Sequence, residues 1–192
     1  MIHERERPCD HAGGMTMQER RETGDGRERS VVDPIELARA NWVRHGWGEA
    51  ADGMAFVTSI MRVQQVLLGR IETILRPHGL TFARYEVLRL LAFSRSGRLP
   101  VGKIGERLQV HPASVTNAVQ RLEQDGMVVR VANPRDGRSV LAEITADGRG
   151  LVDRCTDQLN AEIFSIVPIP SAQQQRAFMA LKGVRQAFGD FG

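Results

Sequence analysis

Between Pro100 and Thr145 the chain carries two short helical repeats separated by a three-residue break, then two β-rich runs joined by a basic turn. Few folds accept that order. The second helical repeat is the better defined. Pro112 suits a first helical position, where the missing N–H costs nothing, and the apolar residues after it recur at Val115, Ala118, Val119 and Leu122. So narrow a stripe must pack inward. At 100° per residue the opposite face holds Ala113, Asn117, Gln120 and Gln124, flanked by Ser114, Thr116 and Arg121. A face that was merely solvated would be loaded with Glu and Lys. This one carries small side chains together with donors and acceptors of the kind that meet base edges in a major groove.

The preceding helix is expected from Val101 to Leu108, with Val101, Ile104 and Leu108 at core spacing. Gly105 lowers its propensity by about 1 kcal/mol relative to Ala, which a close helix crossing would explain. Gln109, Val110 and His111 form a turn of the length that a helix-turn-helix needs. His111 reads as an N-terminal cap or a phosphate neighbour, since it lacks the partners of a metal ligand. Asp125 and Gly126 stop the second helix, and Met127 to Val131 is β-branched enough for a strand. The turn Asn133-Pro134-Arg135-Asp136-Gly137-Arg138 follows, and Val140, Ala142 and Ile144 alternate on the return. The order is that of a winged helix-turn-helix. The bland alternative for the hairpin is a plain surface loop, but two arginines on a bent tip fit a narrow, strongly negative minor groove. Asp136 is placed to hold the Arg138 guanidinium by a charge-assisted hydrogen bond. The expected DNA-contacting residues are Ala113, Ser114, Thr116, Asn117, Gln120 and Arg121 on the helix and Arg135, Asp136 and Arg138 on the tip.

Charge agrees in position more than in total. The whole chain is only +3, yet from Arg98 to Arg138 seven basic residues face four acidic ones, so the excess lies where phosphates would be. That balance permits a nucleic-acid partner without identifying one, and the winged order makes double-stranded DNA the expected partner. The 42% hydrophobic content suffices for a packed core, mainly aliphatic because aromatics are sparse. No apolar run approaches the length needed to cross a bilayer, and the charged N-terminus lacks the apolar segment of a signal peptide, so a cytoplasmic location without membrane association is expected.

Around this lobe the chain reads as further helices. Residues 1–32 mix Arg, Glu, Asp and Gly without periodicity and read as a disordered tail. A short helix begins after Asp33, with Pro34 first and Ile35, Ala38, Trp42 and Val43 on one side, and ends near Gly46 or Gly48. A longer one is expected from Met54 to Arg76, closed by Pro77, His78 and Gly79, after which Thr81 caps a helix whose Phe82, Tyr85, Leu88 and Leu91 face inward. Past the wing, Thr145 caps a helix expected to run until Pro168 and Pro170. Ser171 and Gln174 have the spacing of a capping box for a final helix carrying Phe178, Leu181, Val184 and Phe188. The terminal helices exceed what one winged lobe can bury, so pairing across a two-fold axis is expected.

Gly79-Leu80-Thr81, the helix through Tyr85 and Leu88, Arg121 and Leu122 with Gly126, and Asp136, Arg138, Leu141, Ile144 and Thr145 together resemble the MarR family of bacterial transcriptional regulators. The likeness spans Met54 to Phe188. Its most specific part is Asp-x-Arg, a strand ending Ile-Thr, and a helix with an early glycine, here Gly148. The resemblance implies a homodimeric repressor or activator whose DNA affinity is tuned by a small ligand or oxidant. The expected fold is mainly α with a small β-hairpin: a winged helix-turn-helix lobe at 79–147 flanked by dimerisation helices at 33–78 and 148–192. The family's pocket lies between dimer helices and lobe. Trp42, His45, Trp47, Arg62, His78, Arg84 and Glu86 are candidates to line it for an anionic or aromatic effector. The Trp-bearing first helix resembles the urate-responsive branch, from which the chain departs at Ala118, where that branch has an arginine.

Other classes find less support. No nucleophile with a base, no metal-spaced cluster and no phosphate-cradling glycine loop occurs, so neither enzyme, metal nor cofactor is expected. Cys155, on the stripe Leu151, Cys155, Leu159 and Ile163, reads as a small buried hydrophobe, with an oxidant-sensing thiol as the alternative. A protein-interaction module using the winged fold remains the other alternative.

Overall fold

The computed structural model describes residues 32–134, 136 and 138–191. The expected tail, apart from Val32, and Arg135 lie outside the described residues. Two units are described separately, one up to Ala55 and one from Phe56.

In the first unit, helix α1 runs Pro34–Arg44, started by Asp33, whose Oδ1 accepts the Ile35 N–H at 2.9 Å. It ends at His45, and Gly46 takes the left-handed conformation (φ 85°) that only glycine adopts without strain. Trp42 meets Trp47 edge to face at 5.4 Å, and His45 stacks on Trp47 at 6.0 Å. Helix α2 then spans Gly48–Leu75. It starts earlier than expected from Met54. The turn at Gly46 and Trp47 resets the backbone at once, so Gly48 and Gly53 are carried inside a helix that their own propensities disfavour.

In the second unit, a 3₁₀ turn at Arg76–His78 and left-handed Gly79 end α2, and Thr81 caps α3 (Phe82–Phe93). Strand β1 (Arg98–Pro100), α4 (Val101–Leu108), α5 (Pro112–Gln124), β2 (Val128–Ala132), β3 (Val140–Ile144), α6 (Ala146–Glu162) and α7 (Ser171–Ala187) follow. The sheet is antiparallel in the order β1-β3-β2, with Leu99 opposite Ala142 and Val131 opposite Leu141. The expected hairpin is thus a three-stranded sheet. Its extra strand is three residues long, ends on a proline that donates no ladder bond, and exists because β3 offers it a free edge. Nor does β3 alternate as expected. Val140 near the tip is exposed, whereas Leu141, Ala142 and Ile144 are buried, because the central strand is covered on both faces.

The core joins Leu75, Leu88, Leu91, Ile104, Val115, Val119, Leu122, Val128, Val152 and Leu159. Cys155 lies fully buried among them, and burial pushes its thiol above the usual range. Arg89 ties α3 to α6, donating to the Val152 carbonyl, Asp153 and Thr156 at 2.7, 2.9 and 2.5 Å. Thr145 starts α6 as expected, its Oγ1 accepting the Gly148 N–H at 3.0 Å.

Two expectations for the C-terminal region fail. Helix α6 stops at Glu162, well before the prolines, with Ile163 outside helical geometry and a 3₁₀ turn at Phe164–Ile166. Ser171 and Gln174 form no capping box. Extended Pro170 occupies the cap, which moves Ser171 one place inside α7, and Gln174 donates instead to the Ile169 carbonyl at 2.9 Å. No helix among the described residues is long and apolar enough to cross a membrane.

Candidate nucleic-acid interface

Helix α5 divides as its wheel requires. Val115, Ala118, Val119 and Leu122 are buried, while Ala113, Ser114, Thr116, Asn117, Gln120 and Arg121 are all exposed. Its start is held by His111, whose Nδ1 accepts the Ala113 N–H at 3.2 Å, so the cap expected of this residue is present. Gln109, at φ 54°, turns the chain between α4 and α5, with the Val110 N–H on the Gly105 carbonyl at 3.2 Å. Gly105 is buried at the crossing: a methyl there would stand 3.4 Å from both the Val110 oxygen and Val115 Cγ2. That is ordinary contact, so the two helices meet as closely as an alanine would permit.

The exposed face is chemically available. Asn117 and Gln120 make no side-chain hydrogen bond among the described residues, leaving each amide with a full set of donors and an acceptor. Thr116 donates its hydroxyl to the Pro112 carbonyl at 3.0 Å and keeps only acceptor capacity. Arg121 reaches Gln124 at 3.4 Å, a long contact that leaves the rest of its fork free. Two grooves flank the ridge of Asn117 and Arg121. One of about 410 Å³ is walled by Ala113, Thr116, Gln120 and Gln124, and the other, of about 570 Å³, by Thr81, Arg84, Ser114 and Asp125. The second wall includes residues that the sequence marked for other roles and not for DNA: Thr81 as a cap, Arg84 as an effector candidate and Asp125 as a helix stop. Spacing would have shown Asp125 one turn past Arg121, but nothing local places Thr81 and Arg84 there.

The hairpin tip is shaped by backbone bonds. Asn133 accepts the Asp136 N–H at 3.2 Å, and Asp136 accepts the Ser139 N–H at 3.0 Å. Asp136 Oδ1 takes the backbone N–H of Arg138 at 3.1 Å. The expected grip on the guanidinium is replaced by an Asx-type turn, because a carboxylate two residues ahead reaches the main chain more easily than the end of a long side chain. Arg138 is exposed, and its guanidinium pairs with nothing among the described residues. Midway along β2 Arg130 pairs with Glu123 at 2.7 Å, tying that strand to α5.

The effector candidates fall in both units. Trp42 and His45 belong to the aromatic cluster of the first unit. In the second unit Arg62 is exposed, 3.5 Å from Gln65, and His78 Nε2 lies 2.9 Å from Gln158 Oε1. Arg84 pairs with Asp125 at 3.2 Å. Glu86, two residues on and so on the other side of α3, lies in a small crevice with Val87, Leu108 and Val115, where burial raises its carboxyl above the usual range. Arg84 and Glu86 thus line different cavities. Among the described residues no cluster has the makings of a metal site.

Comparison with known proteins matches this geometry. The sequence model of the MarR family matches residues 78–139, from the turn before α3 to the wing. An HTH-type transcriptional repressor of Mycobacterium tuberculosis is 33% identical over 119 residues, covering 62% of this chain and 84% of the relative. A MarR family transcriptional regulator from Streptomyces coelicolor, known from its crystal structure, is 49% identical with a TM-score of 0.66, over 73% of this chain and 97% of that one. CouR from Rhodococcus jostii RHA1, solved bound to p-coumaroyl-CoA, is 27% identical with a TM-score of 0.57, over 65% of this chain and 87% of that one. With a polar helix face, a basic hairpin and relatives of this identity and coverage, the chain belongs to the MarR family of winged-helix, DNA-binding transcriptional regulators and is not an enzyme.

Proposed function

We propose that the protein is a homodimeric repressor that binds a pseudo-palindromic operator and is released from it by a small anionic or aromatic ligand. The observation that carries this reading is the face of α5, where Asn117 and Gln120 stand exposed and unpaired beside Arg121. In the major groove Asn117 and Gln120 would read base edges, with Ala113, Ser114 and Thr116 giving close approach and Arg121 meeting a base or a phosphate. Arg138, and Arg135 beside it in sequence, would enter the flanking minor groove, with Asp136 shaping the turn that carries them.

Dimerisation is supported by apolar side chains that one subunit leaves uncovered. Phe56, Val57 and Met61 on α2 and Phe178, Met179 and Leu181 on α7 are all exposed. Exposed apolar side chains of this kind on helices that flank a lobe are what an isologous interface would bury. Residues 33–78 and 148–192 would then be the dimerisation segments and 79–147 the DNA-binding lobe. Two α5 helices about 34 Å apart would enter successive major grooves. A ligand that favours another spacing of the lobes would release DNA by population shift. The repressor name of the Mycobacterium tuberculosis relative and the aromatic thioester in the CouR structure support the sign of control and the ligand class. The burial of Cys155 argues against a thiolate sensor, which needs an accessible, low-pKa sulfur.

The test is a titration of DNA recovered from genomic fragments by the purified protein. Asn117→Ala should relax preference at one base position, by about 1 to 3 kcal/mol. Arg138→Ala should weaken binding to all sequences and lower the salt slope by about 1. If neither variant alters the titration, the assignment of α5 and the hairpin to DNA is wrong.

A further inference from the structure

We infer that Arg84, outside both the helix-turn-helix and the hairpin, is a phosphate-binding residue of the DNA interface, and that Asp125 is its built-in competitor. This rests on the reading that α5 enters a major groove. Arg84 projects from the first turn of α3 into the groove of about 570 Å³ that it shares with Ser114, Asn117 and Arg121. It therefore lines the same wall as residues on the base-facing side of α5. A helix with its side chains is about 10–12 Å across, and the major groove is about 12 Å wide, so a helix seated there fills it. Groups standing beside the helix at that wall meet the sugar-phosphate backbone.

The side chain is equipped for this. Arg84 donates from Nη1 to Asp125 Oδ2 at 3.2 Å and makes no other side-chain hydrogen bond among the described residues. Its other N–H groups point to no acceptor, and a guanidinium is built to hold a carboxylate and a phosphate through different edges. Asp125 is the C-cap of α5 and about half exposed, on the same groove. A carboxylate there repels an incoming phosphate and holds the cation that would attract it. Pairing with Arg84 cancels the two charges against each other in the free protein and leaves Arg121 as the groove's uncompensated cation.

The geometry leads to opposite signs for the two partners in DNA affinity with folding unchanged, and to a salt slope that falls when Arg84 is removed. If the pair only braced α3 against α5, removing either partner would harm folding and binding alike. If Arg84 binds phosphate, Arg84→Ala should weaken DNA binding by about 5- to 30-fold at low salt, equally for specific and unrelated duplexes, and lower the salt slope by about 0.9. Asp125→Asn should tighten binding by a few fold and leave the slope of Arg84 in place. Arg84→Lys, which keeps charge but loses the fork, should fall between the parent and Arg84→Ala.

The experiment is a fluorescence anisotropy titration of the full chain with a labelled duplex across a salt series, for the parent, the three variants and Asn117→Ala, with thermal unfolding of each. Weakening by Arg84→Ala together with tightening by Asp125→Asn supports the inference. Equal weakening by both with lowered unfolding temperatures overturns it in favour of a brace, and an unchanged salt slope in Arg84→Ala overturns it outright. Asn117→Ala separates the two failures: if it too binds like the parent, the reading of α5 has failed, and if it alone relaxes sequence preference, only the role of Arg84 has.

Discussion

Replacing Gly148 by alanine is the substitution whose cost the structure sets most directly. Gly148 is buried in the first turn of α6, and a Cβ there would stand 2.2 Å from the Met127 carbonyl oxygen and 3.1 Å from Ile144 Cγ1. The first distance is about 1 Å inside any ordinary contact, and the obstacle is backbone, not the end of a flexible side chain. That carbonyl is also committed. It accepts the Thr145 N–H at 3.1 Å and the Thr145 hydroxyl at 3.1 Å, and the next residue begins β2. Overpacking of this kind costs about 1–3 kcal/mol, and the backbone displacement places it at the upper end. The gain in helix propensity returns at most about 1 kcal/mol. A net loss of about 2 kcal/mol should lower the unfolding temperature by about 4–8 °C in a chain of this size. Because Met127 leads into the hairpin, DNA affinity measured well below the unfolding transition should fall as well. Far-UV circular dichroism melts and anisotropy titrations on the same samples read both quantities. Gly102→Ala, with nothing within 4 Å of the added methyl, is the control and should be neutral or stabilising. If Gly148→Ala unfolds within about 0.5 kcal/mol of the parent, the close approach of α6 to Met127 is wrong.

Further outcomes follow from burial and charge. Because desolvation raises the Cys155 thiol, the native state holds that proton more tightly than the unfolded chain, so its contribution to stability is complete below the ordinary thiol range and declines as pH rises through the folded value. With Cys9 replaced by serine, so that Cys155 is the one thiol in the chain, native protein should accordingly react with a thiol reagent at mildly alkaline pH only as fast as it opens, and rapid stoichiometric labelling of that variant would contradict the burial. Desolvation raises the Glu86 carboxyl in the same sense, so ionising it disfavours the native state, and Glu86→Gln should be more stable than the parent at neutral pH with the advantage vanishing in acid. Denaturant unfolding at several pH values reads this, and a constant difference would exclude the carboxyl as its source. Phe178→Glu, on the exposed face of α7, should shift the mass measured by light scattering from dimer to monomer and abolish operator binding.

How far each part was legible depends on the range of the interactions that produce it. Proline at a first helical position, Asp125-Gly126 as a stop and Thr81 and Thr145 as caps act within one turn of chain, and all of them appear where the sequence places them. The same locality exposes the reading face: once Val115, Ala118, Val119 and Leu122 are committed to the core, a helical period leaves Asn117 and Gln120 outside. By itself, then, the sequence determined the helix-turn-helix, the side of α5 that faces outward, and the family. Other features depended on distant partners. Strand β1 exists because β3 has an open edge, Gly148 is required because α6 crosses Met127, and Asp136 chose the main chain of its own turn over a side chain. The pairing of Arg84 with Asp125 beside Asn117 was likewise decided only when α3 packed on α5. Local hydrogen bonds and periodicity are written in neighbouring residues, whereas edge pairing, close approach and shared groove walls are set by segments that meet only after the core has closed.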